Sequence, residues 1–597
     1  MGGFKGLWRL RARAGGLTRG ASGAAGTPPD GDDRPGRRQG ATTYEVVRLS
    51  LITWLIARGL GLPPAITRVD VHRDLPVPMP DGVDLLADLY VPRRVPGAPT
   101  VLIRTPYGRR GVFGLLHARM LAERGFQVVV QSVRGTAGSG GVFDPFAQER
   151  ADGLATIEWL EQQPWFHGNL LLFGMSYFGH TEWAVAAEAG KRVAAMHVTM
   201  ASSRFRDLFY TGGTFALETA LGWTSLMSRL TGDPRRDTVE MVRPDRRLAA
   251  ALRRLPLAQA DLVATGRRIG YFQEWLEHDK PGDPYWAVER DHDARRTEVT
   301  APVAMVAGWH DLFLPWQLED FQALAAAGRG PYLTIGPWTH SDLRVAGTSV
   351  REAITWFTAH VKGDRPAMPG GPVRLYVQQA DEWRDFPEWP PPGATPTAWH
   401  LRRHGGLSTE PPEVSAPSRY RYDPADPTPS VGGPLFTPQA GRRDNRPLEA
   451  RPDVLVFTGD PLPEPVDVIG PVRAVLHLRS DNEHSDVFVR LCDVEPSGRS
   501  MNVCDGIQRI LPDRFPPGPD GVRTVTVELW PTAYRFKAGH RIRVQVSGGA
   551  HPRFARNPGT GEPLGTATRL VTATHEVFHD PERPSAVILP VMGRPAG

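Results

Sequence analysis

One segment of the chain runs Leu170-Leu171-Leu172-Phe173-Gly174-Met175-Ser176-Tyr177-Phe178-Gly179-His180, an apolar stretch that ends at a serine between two glycines. Residues 181–188 then read as a helix. A strand that turns sharply into a helix at a serine is the layout of a nucleophile elbow, which exposes the serine hydroxyl. Glycine suits positions 174 and 179, because a side chain there would crowd the neighbouring strand and helix. The pattern therefore predicts a nucleophile at Ser176, with free helix N–H groups nearby to bind an oxyanion.

A nucleophilic serine requires a base and an acid, and two strand ends further along the chain offer them. Asp311 follows the apolar run 302–307 and a Gly-Trp-His segment, and His340 follows the apolar run 332–335. Catalytic groups of parallel sheets lie beyond the carboxyl ends of the strands, and in α/β-hydrolases the acid precedes the histidine. The sequence therefore predicts a triad in which His340 takes the proton of Ser176 and Asp311 orients the imidazole.

Both partners have an alternative interpretation. Asp311 is also suited to cap the N-terminus of the element that follows it. His310 is a second histidine beyond a strand end, but it directly precedes the acid, so its side chain should point elsewhere on an extended segment. His340 is therefore the preferred base.

Strand and helix signals alternate around these positions. Short apolar runs at residues 100–103, 127–130 and 193–200 are typical of buried parallel strands, and a helical repeat covers residues 154–160. Two further strands are predicted at residues 66–72 and 83–90. We therefore predict an α/β class fold, with an α/β-hydrolase core formed by residues 41–200 and 299–365.

The spacing within the triad indicates an insertion. Ser176 and Asp311 are 135 residues apart (311 minus 176). Two βα units need only about 60–70 residues, so the excess at residues 201–298 predicts an inserted helical cap. Apolar side chains of the cap and of the segment after Asp311 predict a substrate pocket lined by Phe215, Leu221, Trp223, Leu312 and Phe313. The cap residues in this set are equally suited to form the core of the cap itself.

The C-terminal part of the chain has a different pattern. Short strands with period-two alternation are predicted at residues 373–377, 487–491, 525–529 and 542–546, with Pro/Gly-rich turns between them. Many such strands favour a β-sandwich, here a jelly roll over residues 366–597.

Composition sets further limits. A chain of 597 residues is longer than a single hydrophobic core usually supports, so more than one domain is expected. Acidic residues are interleaved with the arginines and the net charge is only +5, so no nucleic-acid partner is predicted. Cys492 and Cys504 match no metal motif and are predicted to be free thiols, with a single bridge left open. Asp291-His292-Asp293 is predicted to be a solvated loop without a second ligand cluster, so neither a metal nor another cofactor is expected.

The N-terminal segment shows no export signal. Residues 1–40 are rich in Gly, Arg, Ala and Pro and lack the continuous apolar core of a secretory signal, which predicts a disordered basic tail and a cytoplasmic protein. The apolar run 49–57 is too short to span a bilayer, so no integral membrane segment is predicted. That run reads as a helix packed on the body or, alternatively, as a membrane-surface anchor.

Several segments resemble the CocE/NonD hydrolases, relatives of the Xaa-Pro dipeptidyl-peptidases. They are Arg104-Thr105-Pro106-Tyr107-Gly108, Gly174-Met175-Ser176-Tyr177-Phe178-Gly179, Gly308-Trp309-His310-Asp311, Gly336-Pro337-Trp338-Thr339-His340 and the run 553–562. The serine turn reads G-x-S-x-x-G, a variant of G-x-S-x-G that is common in this family. The resemblance extends from about Val69 to the C-terminus and implies the same triad and a C-terminal jelly roll. It also implies an oxyanion hole formed by the Tyr107 hydroxyl and the Tyr177 backbone N–H.

These observations together predict a serine hydrolase that cleaves a small-molecule carboxylic ester or amide through an acyl-enzyme. The apolar segment 312–316 favours an uncharged hydrophobic acyl or alcohol group over an amine terminus. The alternative is an Xaa-Pro dipeptidyl-peptidase or acyl-amino-acid hydrolase, and the second alternative is a non-catalytic carbohydrate- or partner-binding protein. A homodimer is left open.

Overall fold

In the part of the chain that the structure describes, twelve strands come before the C-terminal region. They are β1 Val69–Pro78, β2 Asp84–Pro92, β3 Thr100–Thr105, β4 Gln127–Ser132, β5 Leu170–Met175, β6 Val193–Thr199, β7 Tyr210–Thr211, β8 Thr214–Phe215, β9 Val303–His310, β10 Tyr332–Thr339, β11 Val373–Val377 and β12 Glu382–Phe386. Apart from the β7–β8 hairpin, they form one sheet in the order β1-β2-β4-β3-β5-β6-β9-β10-β11-β12. The strands from β4 to β11 in this order run parallel, and β1, β2 and β12 pair antiparallel. The predicted α/β core is confirmed.

The computed structural model describes residues 51, 53–110, 114–232, 246–287, 289–361 and 370–593. The tail predicted for residues 1–40 lies outside the described residues. Residues 53–59 form a helix that buries Ala57 and exposes Trp54, so one face of this helix packs on the body of the protein. None of the described helices combines the length and the apolar character that a bilayer-spanning segment needs.

Helices connect the parallel strands and pack on the sheet. They are the π-helix Gly114–Arg119, the α-helices Met120–Ala122, Glu149–Glu161, Tyr177–Ala189, Leu314–Ala326 and Leu343–Val361, and the 3₁₀ turn Gly190–Arg192. β3, β4 and β9 are buried at every residue, which explains their largely apolar sequences. Proline occurs in the first turn of the helix Leu314–Ala326, where its missing N–H leaves no intrahelical bond unmade.

The chain between β6 and β9 forms the predicted cap. Besides the β7–β8 hairpin it contains the α-helices Arg206–Phe209, Leu217–Gly232, Arg246–Ala251, Ala260–Thr265 and Gly270–Glu277, and the 3₁₀ helices Leu257–Gln259 and Asp293–Glu298. Aromatic rings fill its core, where Phe209 stacks on Trp275 at 4.1 Å between ring centroids. These rings are continuous with the hydrophobic core beneath the cap.

Eleven strands form the C-terminal β-sandwich. They are β13 Ala394–Arg402, β14 Gly406–Ser408, β15 Ser418–Tyr422, β16 Val454–Thr458, β17 Val466–Ser480, β18 Ser485–Val494, β19 Ser500–Ile510, β20 Arg523–Phe536, β21 Arg541–Ser547, β22 Ala573–Phe578 and β23 Ala586–Met592. A short helix, Arg446–Glu449, and a 3₁₀ turn, Arg403–Gly405, lie between them. Alternate side chains of β17 are buried, as the period of two requires for a strand with one face on a core.

One detail differs from the sequence predictions. The strand at residues 373–377 was expected in the sandwich, but β11 pairs in parallel with β10 and extends the core sheet. Its period-two burial is the pattern of any half-buried strand and does not distinguish the two sheets. The predicted domain bounds stay predictions.

Cys492 and Cys504 are buried free thiols on neighbouring strands, so the bridge left open is not formed.

Candidate active site

The nucleophile elbow forms at the junction of β5 and the helix Tyr177–Ala189. Ser176 adopts φ +57° and ψ −129°, a strained conformation for a residue with a side chain. A Cβ atom at Gly174 would lie 2.0 Å from the carbonyl oxygen of Phe178, and one at Gly179 would lie 2.6 Å from the Cβ of Ala201. Glycine at these two positions lets strand and helix approach closely enough to hold Ser176 in this turn.

The structure brings the three predicted triad residues together. The Oγ of Ser176 lies 2.9 Å from Nε2 of His340, and Nδ1 of His340 lies 2.6 Å from Oδ2 of Asp311. Asp311 is fully buried, and its other carboxylate oxygen accepts a hydrogen bond of 2.9 Å from the backbone N–H of Phe313. The carboxylate is thus fixed by two donors while the imidazole faces the serine, an arrangement suited to proton transfer.

His310, the alternative base, occupies a different environment. It is the last residue of β9, and its Nε2 lies 3.0 Å from the amide oxygen of Gln378. Burial lowers the pKa of His310 to about 4, so this imidazole is neutral at physiological pH. The side chain is engaged with Gln378, as expected from the alternation of side chains along an extended strand.

Tyr107 lies beside the serine with its phenol buried. The indole N–H of Trp223 donates a hydrogen bond of 3.1 Å to the phenol oxygen. Burial raises the pKa of Tyr107 to about 12, although hydrogen bonds with Trp223 and Ser176 lower it in part. The phenol is therefore protonated at neutral pH, and its O–H is available to donate.

Tyr177 follows the serine and starts the helix, so its backbone N–H lies at the helix N-terminus. Its hydroxyl donates a hydrogen bond of 2.7 Å to Glu149 and accepts one of 3.0 Å from the N–H of Phe146. Glu149 in turn pairs with Arg104 at 3.1 Å, and both side chains are buried. Tyr177, whose backbone N–H was predicted to contribute to the oxyanion hole, is thus bonded through its hydroxyl to one member of a buried ion pair.

A narrow pocket opens beside these groups. Ser176, His340, Tyr107 and Tyr177 line one part of it. The rest of the lining is mostly aromatic or aliphatic and includes one threonine: Phe205, Leu208, Phe209, Thr219, Trp223, Leu312, Phe313 and Phe436. Trp223, Leu312 and Phe313, three of the five residues predicted for a substrate pocket, lie in this lining. Phe215 and Leu221 are absent from this lining and are fully buried in the hydrophobic core, which matches the alternative interpretation of the cap residues.

The run predicted to be a solvated loop is instead packed under the cap. His292 is buried, with its ring 4.9 Å from that of His180, and burial lowers its pKa to about 4. Asp291 accepts a hydrogen bond from the N–H of Phe205, and Asp293 pairs with Arg204. These residues therefore brace the cap against the core. Among the described residues, no cluster of three metal-ligating side chains is found.

Two protein-family models match the chain. Residues 81–342 match the X-Pro dipeptidyl-peptidase (S15 family), and residues 367–588 match the X-Pro dipeptidyl-peptidase C-terminal non-catalytic domain. The chain is 33% identical to cocaine esterase from Rhodococcus sp. (strain MB1 Bresler) over 571 residues, which cover 88% of this chain and 99% of that protein.

Solved structures support the same fold. An aminopeptidase from a marine sediment Thaumarchaeota archaeon superposes with a TM-score of 0.77 at 22% identity. An α-amino acid ester hydrolase superposes with a TM-score of 0.76 at 23% identity. Each comparison covers 89% of this chain and 98% of the other. At these identities the likeness concerns the architecture alone.

Proposed function

Because this chain belongs to the CocE/NonD family of serine hydrolases, which cleave ester or amide bonds, we propose that it hydrolyses small carboxylic esters whose acyl group is uncharged and apolar. The observation that carries this proposal is the pocket beside Ser176, whose walls are apolar and aromatic and hold no carboxylate. The 33% identical relative bears the name of an esterase, which supports ester over amide chemistry.

The reaction proceeds by acyl transfer. The Oγ of Ser176 attacks the carbonyl carbon while Nε2 of His340 takes the serine proton, and Asp311 stabilises the imidazolium. The Tyr107 hydroxyl and the Tyr177 N–H donate to the oxyanion. The tetrahedral intermediate collapses, and His340 returns the proton to the departing alcohol. Water then attacks the acyl-enzyme by the same route and releases the carboxylic acid and free Ser176.

None of the described side chains that line the pocket carries a carboxylate, and the nearby carboxylate of Glu218 is bonded to the backbone N–H groups of Phe436 and Thr437. This lining favours an uncharged acyl group over a free amine terminus. An ammonium group taken out of water needs an opposite charge or several acceptors. Leu312 and Phe313 occupy the wall that follows Asp311, and both are apolar. Glu149 is engaged by Arg104 and Tyr177, behind the nucleophile helix. The dipeptidyl-peptidase alternative would require a charge partner that these residues do not supply.

A substrate panel tests the proposal. We expect turnover of p-nitrophenyl benzoate and butyrate by the full chain, and much slower turnover of an Ala-Pro p-nitroanilide. Comparable turnover of the anilide would overturn the preference for uncharged acyl groups. A fluorophosphonate probe should label the wild-type protein but not Ser176→Ala. Ser418→Ala is the matched control, because Ser418 also bonds a histidine, His579, at 2.9 Å but lies in the sandwich.

Three further expectations stay predictions from the sequence: a cytoplasmic location, the absence of nucleic-acid binding, and a homodimer. Cell fractionation tests the first, and an electrophoretic mobility assay tests the second. Size-exclusion chromatography with light scattering measures the oligomeric state.

A further inference from the structure

One wall of the pocket comes from the C-terminal sandwich. Phe436 lies in the long loop between β15 and the helix Arg446–Glu449, and it lines the pocket together with cap and core residues. Its ring centroid lies 6.0 Å from that of His340. The position of this one side chain therefore helps to set the size of the space next to the proposed base.

The base of this loop is fixed to a buried ion pair. Arg490 and Asp505 are both fully buried and lie 2.9 Å apart. Arg490 also donates to the backbone carbonyl of Val431 and, at 2.7 Å, to the side-chain oxygen of Asn445. Because both ends of the loop bond to the same guanidinium, residues 431 and 445 are held together at the rim of the sandwich.

The tip of the loop is held by the cap. Glu218 accepts hydrogen bonds of 3.0 Å from the N–H of Phe436 and 2.9 Å from the N–H of Thr437. The Ser341 hydroxyl, next to His340, donates to the carbonyl of Phe436 at 3.2 Å. Glu218 is only 3% exposed, so its carboxylate has left water and relies on these donors.

Glu218 joins two walls of the pocket. It lies in the first turn of the cap helix Leu217–Gly232, which also supplies Thr219 and Trp223 to the lining. The backbone N–H of Glu218 donates to the carbonyl of Pro552, which follows β21, so the helix start is bonded to two separate segments of the sandwich domain, the loop tip and the chain after β21. The proposed mechanism makes no use of this carboxylate, yet it is buried beside the pocket.

We propose that Glu218 is a positioning residue that sets the acyl-group selectivity of the enzyme by holding Phe436 against the pocket. Without the carboxylate, two half-buried backbone N–H groups lose their acceptor, and the loop tip must shift to satisfy them. Phe436 then moves away from the pocket. Large flat acyl groups lose a contact surface, whereas small acyl groups, which do not reach Phe436, lose little. This inference rests on the ester hydrolysis proposed above.

The test compares Glu218→Gln with wild type on p-nitrophenyl benzoate and acetate. The glutamine keeps the size of the side chain but replaces one acceptor oxygen with a donor. We expect the benzoate-to-acetate ratio of kcat/KM to fall roughly tenfold, mainly through a higher KM for benzoate, as is typical for a lost apolar contact in a pocket. Glu449→Gln is the matched control, because Glu449 is a buried carboxylate in the sandwich that accepts from Ser500 and Gln545, and its ratio should not change.

A double-mutant cycle separates positioning from general destabilisation. Phe436→Ala should lower the ratio by itself, and Glu218→Gln combined with Phe436→Ala should lower it no further, since Glu218 acts through that ring. Additive effects, or equal losses on both esters in Glu218→Gln, would overturn the proposal. If Glu218→Gln does not fold, Glu218→Asp supplies the same comparison with a shortened acceptor. Absence of ester hydrolysis by the wild type, or its survival in Ser176→Ala, would instead contradict the proposed function. Failure of the proposed function is therefore distinguishable from failure of the role proposed for Glu218.

Discussion

The indole N–H of Trp530 donates a hydrogen bond of 3.0 Å to the backbone carbonyl oxygen of Asp311. Trp530 lies on β20 of the sandwich, and its ring meets that of Trp316 edge-on at 6.0 Å. The guanidinium of Arg553 lies 4.9 Å from the same indole ring. A domain whose family description calls it non-catalytic therefore contacts the backbone of the proposed triad acid.

Trp530→Phe should lower kcat more than it changes KM. The substitution removes the donor and leaves the Asp311 carbonyl unpaired, so the loop that carries the carboxylate is less well fixed. One hydrogen bond contributes about 0.5–1.5 kcal/mol, which corresponds to a decrease of roughly threefold to tenfold in kcat for p-nitrophenyl butyrate. Trp399→Phe is the control, because the indole N–H of Trp399 has no hydrogen-bond partner among the described residues. Equal kcat values in the two variants would show that the Trp530 bond does not support the triad.

Replacement of the two histidines distinguishes the candidate bases. His340→Gln should lower kcat by about six orders of magnitude, the usual cost of losing the histidine of a triad, because no group is left to accept the Ser176 proton. His310→Gln should retain activity within a few fold, since its ring contacts Gln378. Steady-state kinetics on p-nitrophenyl butyrate measure both effects. A large loss in His310→Gln with an active His340→Gln would reverse the assignment.

Tyr107→Phe should lower kcat by about 10²–10³, the usual cost of one oxyanion donor. The ring is retained, so the contact with Phe178 at 6.3 Å between centroids should persist and KM should change little. Since burial raises the pKa of Tyr107 to about 12, wild-type kcat should show no loss from ionisation of this phenol between pH 8 and 10. Tyr420→Phe, in the sandwich, is the control. A similar loss of kcat in Tyr420→Phe would mean that removal of a buried hydroxyl lowers kcat through packing and not through the oxyanion.

The triad and the core were predictable because local sequence determines them. Ser176 lies between glycines that the turn requires, and Asp311 and His340 each follow an apolar strand in the order that a parallel sheet allows. Continuous apolar runs indicated the buried strands, because both faces of such strands are covered and favour apolar side chains. These signals depend on residues close together in the chain.

The pocket was less predictable because distant segments build it. Phe436 lies in an irregular loop, and its approach to His340 depends on Arg490 and Glu218, which no local pattern connects with it. Phe215 and Leu221 belong to a segment that is buried on almost all sides, so hydrophobic periodicity does not separate core from lining there. His292 was predicted to be solvated because its neighbours are charged, but Asp293 pairs with Arg204 and Asp291 accepts a hydrogen bond from the N–H of Phe205.

Gly174→Ala should abolish activity and destabilise the protein. A Cβ atom at this position would lie 2.0 Å from the carbonyl oxygen of Phe178, so either β5 or the helix start must move, and Ser176 moves with them. Thermal unfolding should occur at a clearly lower temperature, because overpacking of this kind typically costs about 1–3 kcal/mol or more. Gly270→Ala is the control, since a Cβ atom there meets no atom within 4 Å. An active, stable Gly174→Ala variant would show that the elbow tolerates a side chain.

His575→Phe should reduce the loss of stability in acid. His575 is fully buried beside Tyr420, and burial lowers its pKa to about 4, against the attraction of Asp481 and Asp486. The unfolded chain takes up the proton near pH 6.5, so the stability from this neutral histidine is complete above pH 6.5 and is lost as pH falls toward 4. Between pH 7 and 5 the wild type should lose about 2 kcal/mol more free energy of unfolding than the variant. Urea titrations at both pH values measure the free energy of unfolding. His167→Phe is the control, because it replaces an exposed histidine and should lose as much stability between pH 7 and 5 as the wild type. An identical decline in wild type and His575→Phe would mean that the buried imidazole takes up its proton as readily as in the unfolded chain.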